Sequence, residues 1–285
     1  MKPNHIQVIT FSPTRTSHRV ATAIAEGAAA QGQLSEAVST IDLTTAAELD
    51  ASALSKGSDC LVVLSTPVYG GHIAPLARKR MEGIDGGGAQ AVVVAVYGNR
   101  DYEQALCDLA QLATEHNYRV IGAATFVGEH SFSTPKTPIG VGRPNANDIK
   151  EAKEFGARVW DKMATTPEGT EPNVVDVTTI ERPKQSVWAR ICFIGTILSW
   201  KLKKVSSPRK PECNADLCKH CGKCTSVCPT GAIAKGNECE TDETKCTKCC
   251  ACVKICANGA RSFNSPFAPL LAKYYASDRE NKTLV

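Results

Sequence analysis

Short runs of β-branched and apolar residues recur along the first half of the chain. They read IQVITF (6–11), VSTIDL (38–43), CLVVLS (60–65), AVVVAV (91–96) and RVIGAATFV (119–127). Between them lie alanine-rich or amphipathic stretches at Ser17–Gln31, Pro75–Ile84 and Tyr102–Asn117, with a weaker one near Ala46–Ala53. A last one, Asn147–Met163, follows the Pro-rich loop Thr134–Pro144. Strands alternating strictly with helices predict an α/β, doubly wound fold with a five-stranded parallel sheet covered on both faces. Ligands in such folds sit beyond the carboxyl ends of the strands. The loops there read FSPTRTSH (11–18), STPVYGGH (65–72), YGNRDY (97–102) and GEHSFST (128–134), rich in hydroxyls, glycines and aromatics.

The pattern changes after residue 163. TTPEGTEPN is loop-like, and from Arg182 to Lys210 there are eight basic residues and no acidic one. Inside this stretch Val187–Trp200 is apolar but for Arg190; as a helix it would reach about 21 Å, short of the roughly 30 Å hydrocarbon core. It is expected to pack between domains or to form a homodimer, with peripheral membrane contact through 187–204 as a further reading. The chain divides into 1–165, a basic and apolar linker at 166–210, a small α+β domain at 211–262 and a C-terminal tail at 263–285.

Composition sharpens the second part. Of 14 cysteines, 11 fall between Cys213 and Cys256. The opening MKPNHIQVITF does not look like a cleavable export signal, so a cytoplasmic, reducing location is expected, where clustered cysteines are more often metal ligands than disulfides. A net charge of +4 argues against nucleic acid as the main partner.

The cysteines have a register: Cys218-x2-Cys221-x2-Cys224-x3-Cys228-Pro229 returns 28 residues later as Cys246-x2-Cys249-x2-Cys252-x3-Cys256. Two-residue gaps let successive thiolates and amides face one cubane. A structural zinc site, the competing reading, usually shows two separated CxxC pairs instead. The spacing resembles that of bacterial two-cluster ferredoxins. The resemblance implies two [4Fe-4S] clusters, one on Cys218, Cys221, Cys224 and Cys256, the other on Cys246, Cys249, Cys252 and Cys228. Ala257 stands where the second motif would carry proline, and Cys213, Cys239 and Cys250 are left over.

Residues 5–163 resemble flavodoxin. Ser12, Thr14, Arg15, Thr16 and Ser17 follow the first strand and run into a helix N-terminus, where hydroxyls and backbone N–H groups bind anions. The resemblance implies that this loop holds the phosphate of FMN, with Arg15 replacing a usual glycine. Pro67, Val68, Tyr69, Gly70 and Gly71 match one loop flanking the isoalloxazine, and Tyr97, Gly98, Asn99, Arg100 and Tyr102 match the other. Tyr69 is expected to stack on the ring, with Tyr97 or Tyr102 opposite. His130, after the fifth strand, is the candidate proton donor or substrate contact, and His72 a second. A G-x-G-x-x-G fingerprint is absent from the first loop, which argues against a dinucleotide.

Together the halves resemble the flavodoxin-ferredoxin fusion proteins of anaerobes. The resemblance implies an electron-transfer flavoprotein passing low-potential electrons between clusters and FMN, to or from a redox protein partner. Two alternatives stand beside it. One is a reductase of a small molecule oriented by His130, Arg100 or Tyr102; the other is a zinc-stabilised interaction module.

Overall fold

The computed structural model describes residues 3–34, 38–45 and 49–285. Strands β1 (His5–Thr10), β2 (Val38–Asp42), β3 (Cys60–Tyr69), β5 (Gln90–Tyr97) and β6 (Arg119–Val127) pair in parallel in the order β2-β1-β3-β5-β6. This order reverses at β1/β3, the switch point of the flavodoxin-like doubly wound fold. Helices α1 (Thr16–Gly32) and α4 (Ala146–Thr165) cover one face. Helices α2 (Pro75–Met81) and α3 (Ala105–Glu115) cover the other. The central strands are buried on both sides, as near-continuous apolar runs require. The weak helix near Ala46–Ala53 begins at residues 46–48, outside the described residues, and Ala51–Ala53 form a short 3-10 turn.

The alanines of α1 permit a close crossing with α4. A Cβ on Gly156 would lie 2.0 Å from the Ile24 carbonyl oxygen, and one on Gly27 would lie 2.0 Å from that of Lys153. The two backbones therefore touch, and any larger residue forces them apart.

Two features depart from the expected five strands. First, β3 runs on to Tyr69 and turns back through Gly70 and Gly71, at φ +62° and +89°, into β4 (His72–Ile73). The stretch 65–72 is thus largely a hairpin, closed by a turn that needs positive φ at both central residues. Second, the C-terminal stretch is structured. Helix α8 (Phe267–Tyr274) packs on α5 (Val187–Leu202), and β9 (Lys282–Leu284) joins the sheet antiparallel to β6. Buried Asn281 fixes the return: its Oδ1 accepts the Val127 amide at 3.0 Å, and its Nδ2 donates to Asp148 at 2.8 Å and Glu151 at 2.7 Å.

The cysteine-rich segment is small: β7 (Glu212–Cys213), α6 (Lys223–Ser226), α7 (Ala251–Lys254) and β8 (Arg261–Ser262), with β7 and β8 pairing antiparallel. No helix among the described residues is long and apolar enough to cross a membrane.

Candidate functional site

The loop after β1 makes an anion cradle. Arg15, at φ +65°, precedes α1 with no side-chain cap of its own on the helix, and among the first-turn amides those of Thr16 and Ser17 are left to an outside acceptor. The Ser12 hydroxyl accepts the His18 amide at 3.1 Å, while the Ser12 amide donates to Thr44 Oγ1 at 2.7 Å, tying the loop to the end of β2. Ser17 Oγ is buried with no hydrogen-bond partner, an orphan that a phosphate oxygen would satisfy. Arg15 pairs with Asp42. Burial opposes ionisation of Asp42, but Thr44 and Arg15 hold its carboxyl below the ordinary range.

Three adjoining cavities run from this cradle across the sheet top. The first, about 360 Å³, has Ser12–Arg15, Asp42 and Thr44 on one wall and Ser226, Val227, Ala251, Lys254 and Ile255 on the other. A throat of about 40 Å³ between Thr16, Tyr69, Gly98, Gly128 and His130 follows. Beyond it a cavity of about 300 Å³ is floored by Val68, Gly70, Gly71 and Gly98 and roofed by Phe193 and Ile197 of α5 and Phe267 and Leu271 of α8. Pro67, Val68 and Tyr69, at the end of β3, all line the throat. An organic phosphate with a planar apolar ring suits this sequence of surfaces: donors at one end, glycine backbone and aromatic walls at the other.

Several expected contacts lie elsewhere. The Tyr97 and Tyr102 rings sit in the core, centroids 5.7 Å apart, and the Tyr102 hydroxyl donates to the Ile180 carbonyl at 2.9 Å. Neither is free to stack on a ring in the cleft. Ala91, Val93, Ala95 and Tyr97 alternate onto one core face, so the period of β5 itself turns Tyr97 inward. Asn99 is buried and donates to the carbonyls of Tyr275 at 2.6 Å and Ser277 at 3.1 Å, anchoring the C-terminal segment. Arg100 pairs with Glu103 at 2.6 Å and lies over the Phe193 ring. His72 is exposed and pairs with Asp108, and it lines none of these three cavities, which together form a trough across the sheet top.

His130 does reach the throat, and its packing demands Gly98, where a Cβ would lie 2.3 Å from His130 Cδ2. Burial, helped by Lys254 and Arg100, pushes its pKa down to about 4. Its Nδ1 faces the Phe132 amide at 3.0 Å and accepts that hydrogen bond, which leaves the proton on Nε2. At neutral pH the ring is neutral and offers a hydrogen bond from Nε2.

The two cysteine motifs repeat in backbone as well as spacing. His220 (φ 49°) and Gly222 (φ 73°) flank Cys221, and Lys248 (φ 58°) and Cys250 (φ 59°) flank Cys249; Gly231 (φ 63°) matches Gly259 (φ 62°). Left-handed residues at these positions make concave sets of N–H groups that suit an anionic cluster. Cys250 is thereby explained: it occupies the place of Gly222, buried, its thiol toward the Lys248 carbonyl. Cys228, from the first motif, lies beside Cys249 and Cys252 of the second. Burial pushes both thiols up, Cys252 to about 12, and the charge of Cys228 adds to the shift. Thiolates packed this way need a cation to neutralise them. Around the first motif the Cys218 sulfur lies within 4.8 Å of those of Cys213 and Cys239, which are joined as a disulfide. Cys221 is exposed, and Cys224 and Cys256 are half-buried.

The second motif rests directly on the trough. Tyr69 is half-buried near Cys249 and Cys250, and its hydroxyl is pushed well above its ordinary range by desolvation first and those sulfurs second. Lys254, between Cys252 and Cys256, donates to Glu129 at 2.6 Å and to the Ser133 carbonyl at 2.8 Å. Arg80 of α2 donates to the Pro229 carbonyl. Lys254 carries no signal in the cysteine spacing, where the three residues between Cys252 and Cys256 read as spacers.

By fold and site this is a flavodoxin-like α/β domain carrying a cysteine-rich segment of 4Fe-4S type. Residues 214–234 match the 4Fe-4S binding domain family. The second cysteine motif lies outside those matched residues. No curated protein sequence matches the chain. Similar solved structures include a flavodoxin from the domain Archaea, 13% identical over 57% of this chain and 98% of that one, TM-score 0.37. A flavodoxin, WrbA-like protein from Agrobacterium tumefaciens is 18% identical over 55% of this chain and 95% of that one, TM-score 0.38. Rubredoxin oxygen:oxidoreductase from the anaerobe Desulfovibrio gigas is 14% identical over 56% of this chain, TM-score 0.38, and the chain spans 37% of its length. The fold assignment itself rests on strand order and helix placement.

Proposed function

We propose that the protein is a cytoplasmic electron carrier that couples FMN in the trough to two [4Fe-4S] clusters, exchanging low-potential electrons with a redox protein partner. The observation that carries this reading is the seating of the second cysteine motif on the trough, through Tyr69 beside Cys249 and Cys250 and through Lys254 on Glu129. FMN, when bound, couples one-electron to two-electron transfer, and the clusters supply one-electron steps. Ser12, Thr14, Thr16, Ser17 and the α1 amides hold the phosphate; Val68, Gly70, Gly71 and Gly98 present backbone to the ring. Tyr69 and His130 narrow the throat, so ring entry requires one of them to shift. Cys218, Cys221, Cys224 and Cys256 hold one cluster, and Cys246, Cys249, Cys252 and Cys228 the other. The position of Cys228 beside the second motif supports that exchange of ligands between motifs.

A reductase specific for a small molecule is less well supported. Tyr102 is in the core, Arg100 is paired, and His130 is neutral, so the groups expected to orient and protonate a substrate are engaged or uncharged. Anaerobic purification with assay of iron, sulfide, zinc and FMN tests the proposal. The expected content is about eight iron and eight sulfide with one FMN per chain. Ser17→Ala should weaken FMN binding about tenfold without changing iron. Stoichiometric zinc without flavin would overturn the proposal.

A further inference from the structure

Helix α5 carries two apolar stripes. Phe193, Ile197 and Trp200 face the small core shared with α8 and Tyr275. At about 100° per residue, Val187, Trp188, Ile191, Ile194, Leu198 and Leu202 lie together on the opposite side. All six are exposed, Leu202 by 86%, Val187 by 73% and Trp188 by 72%. A surface helix needs one apolar stripe to dock on its own domain; a second, facing water, needs a different explanation.

The charges around the second stripe choose its occupant. Arg190 and Lys201 border it on one side, and Lys203 and Lys204 follow at its C-terminal end. Among the described residues none of these four is in a salt bridge, and no acidic residue occurs from Arg182 to Lys210. A two-fold contact with a second copy would set these cations against the partner's own. An anionic surface neutralises them while accepting the apolar side chains, and Trp188 suits the boundary between hydrocarbon and headgroups.

We infer that α5 is an interfacial helix that seats the protein on an anionic lipid surface through Trp188, Ile191, Leu198 and Leu202, with Arg190, Lys201, Lys203 and Lys204 at the headgroups. The helix lies in the plane of the surface and does not cross it, since its inner stripe stays docked on α8.

Flotation of the full cofactor-loaded chain tests this, using vesicles of phosphatidylcholine alone and of equal parts phosphatidylcholine and phosphatidylglycerol at low salt. The chain should float with the anionic vesicles only. Binding should fall at least about tenfold in Ile191→Glu/Leu198→Glu and in Lys201→Gln/Lys203→Gln/Lys204→Gln. Unchanged visible and far-UV circular dichroism spectra establish that each variant is folded. Failure of the wild-type chain to float, or equal flotation of both variants, overturns the inference. So does a dimer in lipid-free solution that Ile191→Glu/Leu198→Glu dissociates, because a second copy would then cover the face.

Discussion

The sheet domain and the cysteine-rich segment are held together by different means. In the first, entire strands such as Leu61–Leu64 and Ala91–Val96 are buried between helices on both faces. Between Cys218 and Cys256 the buried apolar side chains are Pro229, Ala232, Ile233 and Ala251, joined by Cys249, Cys250 and Cys252. So small a core does not offset the conformational entropy of the segment, and its backbone is shaped by left-handed turns suited to a ligand. The sheet domain folds around its own side chains; the segment needs its metal.

The largest effect follows from that contrast. Anaerobic removal of iron should raise hydrogen exchange across 214–262 by more than about 100-fold while leaving β1, β3 and β5 protected. Full protection of the segment without iron would break the comparison. The sheet domain should respond in the opposite way to a packing change. Gly156→Ala pushes a Cβ into the Ile24 carbonyl and should cost about 2–3 kcal/mol in urea unfolding, with iron content unchanged.

His130 gives a pH signature. Its pKa is about 4 when folded, against an ordinary 6.5. The unfolded chain therefore takes up this proton first as pH falls. Its contribution is fully present above about 6.5 and is lost as pH drops toward 4, by about 2 kcal/mol given partial exposure. The difference between the urea-unfolding free energies at pH 7 and pH 5 should shrink by about 2 kcal/mol in His130→Gln. Asn281→Ala removes the hydrogen bonds that seat β9 and should cost about 1–2 kcal/mol, read as faster exchange in 282–284. The smallest effect separates ligand from scaffold. Cys250→Gly should keep all iron and change stability by less than about 1 kcal/mol, because glycine already serves at position 222, whereas Cys249→Ser should lose about half the iron.

Local sequence signals carried the same division. RVIGAATFV coincides with β6, and the other four runs match their strands closely, apart from β3, which continues past its predicted end; the buried parallel strands write their burial into consecutive residues, while the half-exposed edge strand β2 is marked by its β-branched residues. The repeat of cysteines extended even to backbone angles, since x2 gaps leave few ways to turn. Gly70-Gly71 marks the hairpin at Tyr69, although strand periodicity alone makes 65–72 a loop. Strand β9 has three residues and depends on Asn281, a contact made across 154 residues to Val127 that no local pattern announces. Loop position alone points Tyr97 and Tyr102 at the cleft, whereas the alternation along β5 turns Tyr97 into the core. The roof of the cleft, from α5 and α8, is tertiary and left no signal beyond its apolar content.

The central claim is that the clusters and the flavin exchange electrons within one chain. It is tested most directly by rapid mixing of the cofactor-loaded protein with limiting dithionite, following flavin absorbance and the electron paramagnetic resonance of reduced clusters in wild type and Cys249→Ser. The account predicts that cluster reduction precedes flavin bleaching in wild type, and that bleaching slows at least about tenfold in the variant at equal FMN content. Equal flavin reduction rates in the two proteins would contradict it.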